Sequence, residues 1–461
     1  MVRRLIVNKQ KLFGTDGIRG TPGVYPLTDY MLSIIAQALA QSLLEKKESR
    51  RKIRVVIGKD TRLSGANIEN ILSKNIAVLG IDVLLVGTIT TPGLAYFVKE
   101  LSCQAGIMIS ASHNKATDNG IKFFNAAGYK FTEEDEEKVE NIIFERLVNK
   151  TRKISSAKKG KIIKFPNAQN RYAEFLQSTV KGLDLSGYTV ALDCAWGAAA
   201  PFARNVFEGL GARVFSINDE PSGYNINQGG AINPEVLKQL VLDTSANIGI
   251  AVDGDGDRGI MVDEKGEIVD GDTTIAVIAR YLSEQNRLKP NAVVGTVMSN
   301  YGLRVFLEQL GVRLITTNVG DKYVLDALLR NSLKLGGEQS GHIIFLDYLT
   351  TPDGLLTALQ VLKVMKEYAQ PLSKLSECMI KYPQVLINVK VKEKKPFEQI
   401  PRLSAILQEC NAKLDGQGRI LLRYSGTEQL ARVMVEGKDK AVVENIANTL
   451  AEHIRQQIGA G

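Results

Sequence analysis

Short β-branched apolar runs alternate with stretches of helical spacing three times along this sequence, and that alternation limits the fold to parallel or mixed sheets covered by helices. The first instance has strands over Ile53–Ile57, Asp82–Val86 and Gly106–Ser110, with helices over Ile68–Leu79 and Leu94–Glu100 between them. The second has strands over Tyr188–Asp193, Arg213–Ile217 and Ile248–Val252, with a helix near Ala199–Leu210. The third has strands over Ala292–Val297 and Arg313–Thr317, with helices over Leu303–Leu310 and near Lys322–Arg330. The repeat is one of architecture, without a residue-by-residue repeat. The tail departs from it: strand Val385–Val391, helix Phe397–Cys410, strands Arg419–Tyr424 and Ala431–Glu436, then helix Ala441–Gln457. A chain of 461 residues exceeds one ordinary core. The expected class is α/β, with three similar α/β units carrying mixed sheets and a C-terminal α+β domain. Domain limits are expected at 1–155, 156–257, 258–372 and 373–461, with linkers at Lys150–Lys164 and near Gln370–Tyr382. The second limit is drawn just after an Asp-rich loop, where composition marks nothing.

Composition excludes several classes. Hydrophobic content is 44% and charged content 23%, close to a globular average. No apolar stretch reaches the roughly 18 residues of a membrane span. The start, MVRRLIVNKQ, is too short in apolar residues for a signal peptide, so none is expected. Cys103, Cys194, Cys378 and Cys410 lie far apart without a CxxC pair, as fits free buried thiols in a reducing cytoplasm. The net charge of +8 fits either nucleic-acid binding or a basic surface for anionic metabolites. Basic residues are dispersed apart from clusters at Lys46–Arg54 and Lys158–Lys164, and no aromatics interleave with these. They read as solvated faces or linker; neither nucleic acid nor membrane is an expected partner.

Four loops carry chemistry. Ser110-Ala-Ser-His-Asn114 follows a strand, where α/β sheets place their ligands. Alone it reads equally as a polar loop, and a Ser-His-Asp hydrolase is weak: the chain has three histidines, no GxSxG elbow, and His113 adjoins Ser112 in sequence. Asp253-Gly-Asp-Gly-Asp-Arg258 follows the strand IGIAV. Alternate carboxylates repel one another until a hard divalent cation sits between them, and glycines allow the tight turn. The loop also spells GxGxxG, but three aspartates would meet a dinucleotide pyrophosphate, and Ile260–Val262 reads as strand. Calcium-loop spacing to Glu264 fails at Arg258, where that loop needs glycine. Magnesium is favoured, because a phosphate ligand would complete its octahedron. Arg423-Tyr-Ser-Gly-Thr-Glu428 offers a guanidinium fork, hydroxyls and approachable backbone N–H groups to an anion, or is an ordinary Ser-Gly turn. Gly336-Gly-Glu-Gln-Ser-Gly-His342 places Glu338, Ser340 and His342 where they can bond sugar hydroxyls, or is simply a turn.

With FGTDGIRG near the start, these loops form an ordered series: FGTDGIRG, ASHN, DGDGDR, GEQSGH, RYSGTE. In that order and over nearly the whole chain, the sequence resembles the α-D-phosphohexomutase family. FGTDGIRG with ISASHN and GGEQSGH is most similar to its bacterial amino-sugar branch; glucose- and mannose-specific relatives more often carry methionine where Gln339 stands. The resemblance implies four domains around a central cleft, each supplying one loop. It implies an isomerase that carries Ser112 as phosphoserine, with one magnesium ion held by Asp253, Asp255, Asp257 and phosphorylated Ser112. Arg258 would stabilise the transferring group. Lys122, in DNGIKFF, would handle protons if its site depresses its pKa; Arg19 and His113 would lie near the phosphoserine. Glu338, Ser340 and His342 would contact the sugar, and Arg423, Ser425, Gly426 and Thr427 the phosphate not being transferred. The implied reaction interconverts glucosamine 6-phosphate and glucosamine 1-phosphate through a sugar 1,6-bisphosphate, feeding UDP-N-acetylglucosamine synthesis. The expected partner is a phosphosugar, and a homodimer is left open. A preference for mannose or glucose phosphates, or a non-catalytic phosphosugar-binding role, are the alternatives. Lys115 replaces the family's usual proline, implying a less rigid serine loop. Tyr424, Gln429 after TE, and Lys322 in Gly320-Asp-Lys322 also depart from the family pattern.

Overall fold

A computed structural model describes residues 11–14, 16–46, 52–149, 158–425 and 428–460. The chain divides into two compact units, Met1–Val297 with Ile315–Ser376, and Met298–Leu314 with Glu377–Gly461.

The first sheet runs, in spatial order, Ile18–Gly20, Asn119–Asn125, Ala105–Ile109, Arg54–Lys59, Asp82–Thr88 and Ile162–Lys164. Its middle strands are parallel, while Asn119–Asn125 lies antiparallel to Ala105–Ile109. Asn119–Asn125 was not among the expected strands, because Lys122 interrupts its apolar run; that lysine is nevertheless buried. Val55, Ile57, Ile107 and Ile109 face a core shared with the helices Asp29–Glu45, Gly65–Val78 and Glu133–Asn149. Each large side chain buried there contributes roughly 1.5–3 kcal/mol. The helix Thr91–Glu100 starts where Thr90 accepts from the Gly93 N–H at 3.2 Å. The expected linker 150–164 is partly strand: Ile162–Lys164 extends the sheet beside Val83–Leu85, and 150–157 lie outside the described residues.

The second sheet runs Ile268–Val269, Gly259–Asp263, Ile248–Val252, Thr189–Asp193, Arg213–Ile217. Ile248–Val252 is buried throughout, as its unbroken apolar sequence requires. The sheet continues past Asp257 to Val269. The third runs Arg313–Thr317, Ala292–Thr296, Leu335–Gly337, Ile343–Phe345, with helices Gly271–Glu284 and Gly354–Tyr368 nearby in sequence. Among the described residues no helix is long and apolar enough to cross a membrane.

In the second unit, Gln384–Lys390, Leu430–Gly437 and Gly418–Tyr424 form an antiparallel sheet. Val433 and Val435 pack with Ile446, Leu450 and Ile454 of the helix Lys440–Ile458. The expected helix Phe397–Cys410 is instead a 3₁₀ turn, Phe397–Gln399, and a helix, Leu403–Leu414. Pro401 cannot donate to a helical ladder, and Arg402 is left-handed at φ 61°.

Candidate active site

The strand Ala105–Ile109 delivers Ser112 to its carboxyl end, 3% exposed and with φ 51°. A left-handed serine costs of order 1–3 kcal/mol and persists only when its surroundings fix it. Here the fixing is extensive. The Ser112 N–H donates to Ser110 Oγ at 2.9 Å. Arg62, ion-paired with Asp60 at 2.9 Å, sends its Nη hydrogens to the carbonyls of Ser112 (2.8 Å), Asn114 (2.9 Å), Asp118 (2.9 Å) and Lys115. A guanidinium has five donors, and all five are used. Lys115, where the family usually has proline, is itself held through its carbonyl by Arg62.

Asp253, Asp255 and Asp257 follow the strand Ile248–Val252 and are all buried; a ligand oxygen from each lies within 4.8 Å of the others. Gly256 turns the loop at φ 73°, and Gly254 lets Asn227 lie flat against it, since a Cβ there would stand 2.7 Å from Asn227 Nδ2. The Ser112 hydroxyl donates to Asp253 Oδ2 at 3.3 Å. Burial, together with the charges of Asp257 and Asp255, raises the Asp253 pKa. Asp255 Oδ1 is buried without a partner. Three hard oxygen donors, one of them orphaned, and crowded like charges are what a hard divalent cation would satisfy, so the residues fit a metal ion.

Cations surround the triad. Lys122 Nζ lies 2.8 Å from Asp255 Oδ2, 2.8 Å from Asp16 Oδ2 and 3.9 Å from Asp257 Oδ2. Burial acts to lower the Lys122 pKa, but Asp16 and Asp255 outweigh it and hold the ammonium above its ordinary range. Lys122 therefore lacks the depressed pKa that a proton-handling lysine needs in this arrangement. Asp16 also pairs with Lys130 (2.7 Å) and Arg19 (2.5 Å), and Lys130 reaches Asp321 at 2.6 Å. Arg19 Nη1 also donates to Asn114 Oδ1 at 3.0 Å. Arg258 Nη2 meets His113 Nδ1 at 2.9 Å, and burial with Arg258 and Arg19 nearby pushes the His113 pKa down to about 4. His113 Nδ1 lies 3.3 Å from Ser112 Oγ, yet Asp253 meets the serine directly rather than orienting a histidine. The hydrolase relay is absent.

The third loop reaches the same cluster. His342 Nε2 lies 3.0 Å from Asp257 Oδ1 and its Nδ1 lies 3.2 Å from Glu338 Oε2. Burial acts to lower the His342 pKa, but Asp257 and Glu338 carry it up to about 10, so the imidazolium donates to both carboxylates. Glu338 is buried and also accepts from the Gly320 N–H at 2.9 Å, while Ser340 is exposed. Lys322 pairs with Glu133 at 3.4 Å.

In the second unit, Arg423 is the penultimate residue of the strand Gly418–Tyr424 and Ser425 is buried, its Oγ accepting from the Glu428 N–H at 3.3 Å. Gly426 and Thr427 lie outside the described residues. Tyr424 has a packing role: its ring stacks on Phe397 at 4.4 Å.

Ser112, His113, Arg19, Lys122, the three aspartates, Arg258, Glu338 and His342 thus come together in the first unit. Arg62, Asn227, Asp16 and Thr91, whose hydroxyl donates to Asp255, had no assigned role in the sequence. Asp16 sits inside FGTDGIRG and was within reach; Arg62 and Asn227 act on backbone carbonyls, which leaves no signature in sequence.

This fold and site define a phosphohexomutase. Residues 10–149, 170–266 and 270–382 match the phosphoglucomutase/phosphomannomutase α/β/α domains I, II and III, and 386–453 match the C-terminal domain. The chain belongs to that family. Within it, the chain is most like the phosphoglucosamine mutases: those of Citrifermentans bemidjiense and Chlamydia trachomatis serovar L2 are each 46% identical. The matches cover 98% of this chain and 99% and 98% of those proteins respectively. The alternatives of a mannose or glucose preference or a non-catalytic role are not favoured. A phosphoglucomutase/phosphomannomutase family protein from Burkholderia thailandensis shares the fold at 22% identity, with a TM-score of 0.79 over 97% of each chain. The N-acetylphosphoglucosamine mutase of Aspergillus fumigatus, solved with GlcNAc-6P and magnesium, shares it at 18% identity and a TM-score of 0.66, over 100% of this chain and 99% of that one.

Proposed function

We propose that this chain interconverts glucosamine 6-phosphate and glucosamine 1-phosphate through a phosphoserine at Ser112. The observation that carries the mechanism is the meeting of Ser112 Oγ with Asp253 at 3.3 Å, beside two further buried aspartates. The phosphoryl group leaves Ser112 Oγ for the free hydroxyl oxygen of the substrate: the P–Oγ bond breaks, a P–O bond to the sugar forms, and the hydroxyl proton passes to water. The resulting 1,6-bisphosphate turns over. Its other phosphoryl group passes to Ser112 Oγ, and the freed sugar oxygen regains a proton. Asp253, Asp255 and Asp257 would hold magnesium, which supplies Lewis-acid stabilisation of the transferring group when bound. Arg258 and Lys122 add positive charge around that group. We give Lys122 no proton-transfer step, since two carboxylates keep it charged. Glu338, Ser340 and His342 are assigned to the sugar, and Arg423, Ser425, Gly426 and Thr427 to the other phosphate. Domain limits after 164, 269 and 372 keep each sheet whole, and we adopt them as part of this proposal, moving the first from 155 because Ile162–Lys164 belongs to the first sheet and the second from 257 because the second sheet runs to Val269.

Intact mass of wild type and Ser112→Ala, before and after glucose 1,6-bisphosphate, tests the carrier. Wild type is expected to gain one phosphoryl group and the variant none; an equal gain in both would sink the phosphoserine. Comparing kcat/KM for glucosamine, glucose and mannose 6-phosphates tests the substrate, and a preference for glucose 6-phosphate would overturn it.

A further inference from the structure

Asn227 lies between the strand Arg213–Ile217 and the helix Glu235–Thr244, 115 residues in sequence from Ser112 and 27 from Gly254. Its Nδ2 donates to the carbonyls of Ser112 at 2.8 Å and Asn114 at 3.0 Å. Its Oδ1 accepts from the Gly254 N–H at 2.8 Å, between Asp253 and Asp255. The partners fix which end is which: two carbonyls require a donor and one N–H requires an acceptor. The amide therefore ties the backbone of the serine loop to the backbone of the aspartate loop. Other links between these loops, Ser112 to Asp253 and Arg258 to His113, run through side chains that the chemistry itself would rearrange. The amide link does not depend on what Ser112 Oγ carries.

We infer that Asn227 is a positioning residue that holds the phosphoryl-carrying oxygen of Ser112 in register with the cation-holding carboxylates. The inference rests on the phosphoserine proposal above. Arg62 donates to the same two carbonyls, so the serine loop keeps its shape without Asn227. What is lost is its alignment with the aspartates. A misplacement of about 1 Å costs roughly 100-fold in rate while leaving remote substrate contacts intact.

The test compares full-length wild type, Asn227→Gly and Asn227→Ala. Glycine suits the left-handed backbone of this position, φ 65°, and alanine provides a second variant should the first fold poorly. Each protein is titrated with Mn2+, followed by electron paramagnetic resonance, with and without the Ser112 phosphoryl group installed by glucose 1,6-bisphosphate. Phosphorylation is expected to tighten Mn2+ binding in wild type, as a phosphoryl oxygen joins the ligand set. In the variants that gain is expected to vanish, while affinity without the phosphoryl group stays within about 2-fold of wild type and kcat falls about 10- to 100-fold at a KM within about 2-fold. An undiminished gain with wild-type kcat overturns the inference. Equal weakening in both phosphorylation states also overturns it, because Asn227 then merely supports the aspartate loop. A wild type that takes up no phosphoryl group overturns the phosphoserine proposal instead, and this inference with it.

Discussion

Asp253 shows what the site costs the protein. Its carboxylate is wholly buried and shares a small volume with Asp255 and Asp257, so like charges crowd where water cannot screen them. Asp253→Asn removes one charge at nearly constant shape. In the presence of chelator this variant is expected to melt higher than wild type, by roughly 1–2 kcal/mol of stability, while turnover with magnesium falls at least about 100-fold. Calorimetry in EDTA beside a coupled mutase assay checks both halves; an unchanged or lower melting temperature would show that the crowding is relieved another way. Chelation of wild type is expected to abolish turnover and magnesium to restore it. The aspartates were legible because alternate carboxylates have few purposes. Ser112 was not legible alone, since a serine in a polar loop has many, and its partners had to be found 141 residues away. Lys122 was legible as a site residue but not in its charge state, which depends on Asp16 meeting it across the fold.

Elements were readable where periodicity was clean and lost where function interrupts it. The strand Ile248–Val252 appeared at its exact bounds because five buried apolar residues run unbroken. The strand Asn119–Asn125 escaped because a buried lysine breaks the run that would have announced it. The helix Gly354–Tyr368 also escaped, although it has a strong start. Asp353 Oδ1 accepts from the Leu355 N–H at 2.7 Å and the Leu356 N–H at 3.0 Å, and its other oxygen accepts from the buried Tyr172 hydroxyl. One carboxylate thus caps a helix and fastens it to the helix Ala168–Ser178. Asp353→Ala loses the cap, worth about 1 kcal/mol, and orphans a buried hydroxyl, worth about 1–3 kcal/mol. Removing a carboxylate whose pKa burial pushes up to about 6 offsets part of that. The net loss is expected to be about 2–3 kcal/mol by urea unfolding. In a double-mutant cycle, Tyr172→Phe is expected to cost clearly less in the Asp353→Ala background than alone. Additive losses would mean that the two groups do not support each other.

Over the whole molecule the alternation of strand and helix predicted three α/β units and a different tail, and each sheet follows it. The sequence could not reveal that the chain packs as two compact units, because that depends on which segments pack and not on local periodicity. Met298–Leu314 joins the C-terminal residues although sequence places it between the third-sheet strands. The second unit is the smaller and is built on a three-stranded sheet. Smaller units bury a smaller share of their surface and are the less stable for it. The cysteines report on each unit. Cys103 and Cys194 are buried in the first, and Cys410 is buried in the second, which also holds the half-buried Cys378. Burial pushes the Cys103 thiol up to about 12 and raises Cys194 and Cys410 as well, so none of the three presents a reactive thiolate while its unit is folded. In native buffer a maleimide is therefore expected to label Cys378 first. As urea rises, Cys410 is expected to become reactive at a concentration at least about 0.5 M below Cys103 and Cys194, which respond together. Peptide mapping of the labelled sites across a urea series reads this directly. Simultaneous exposure of all three buried thiols would mean that the two units unfold as one.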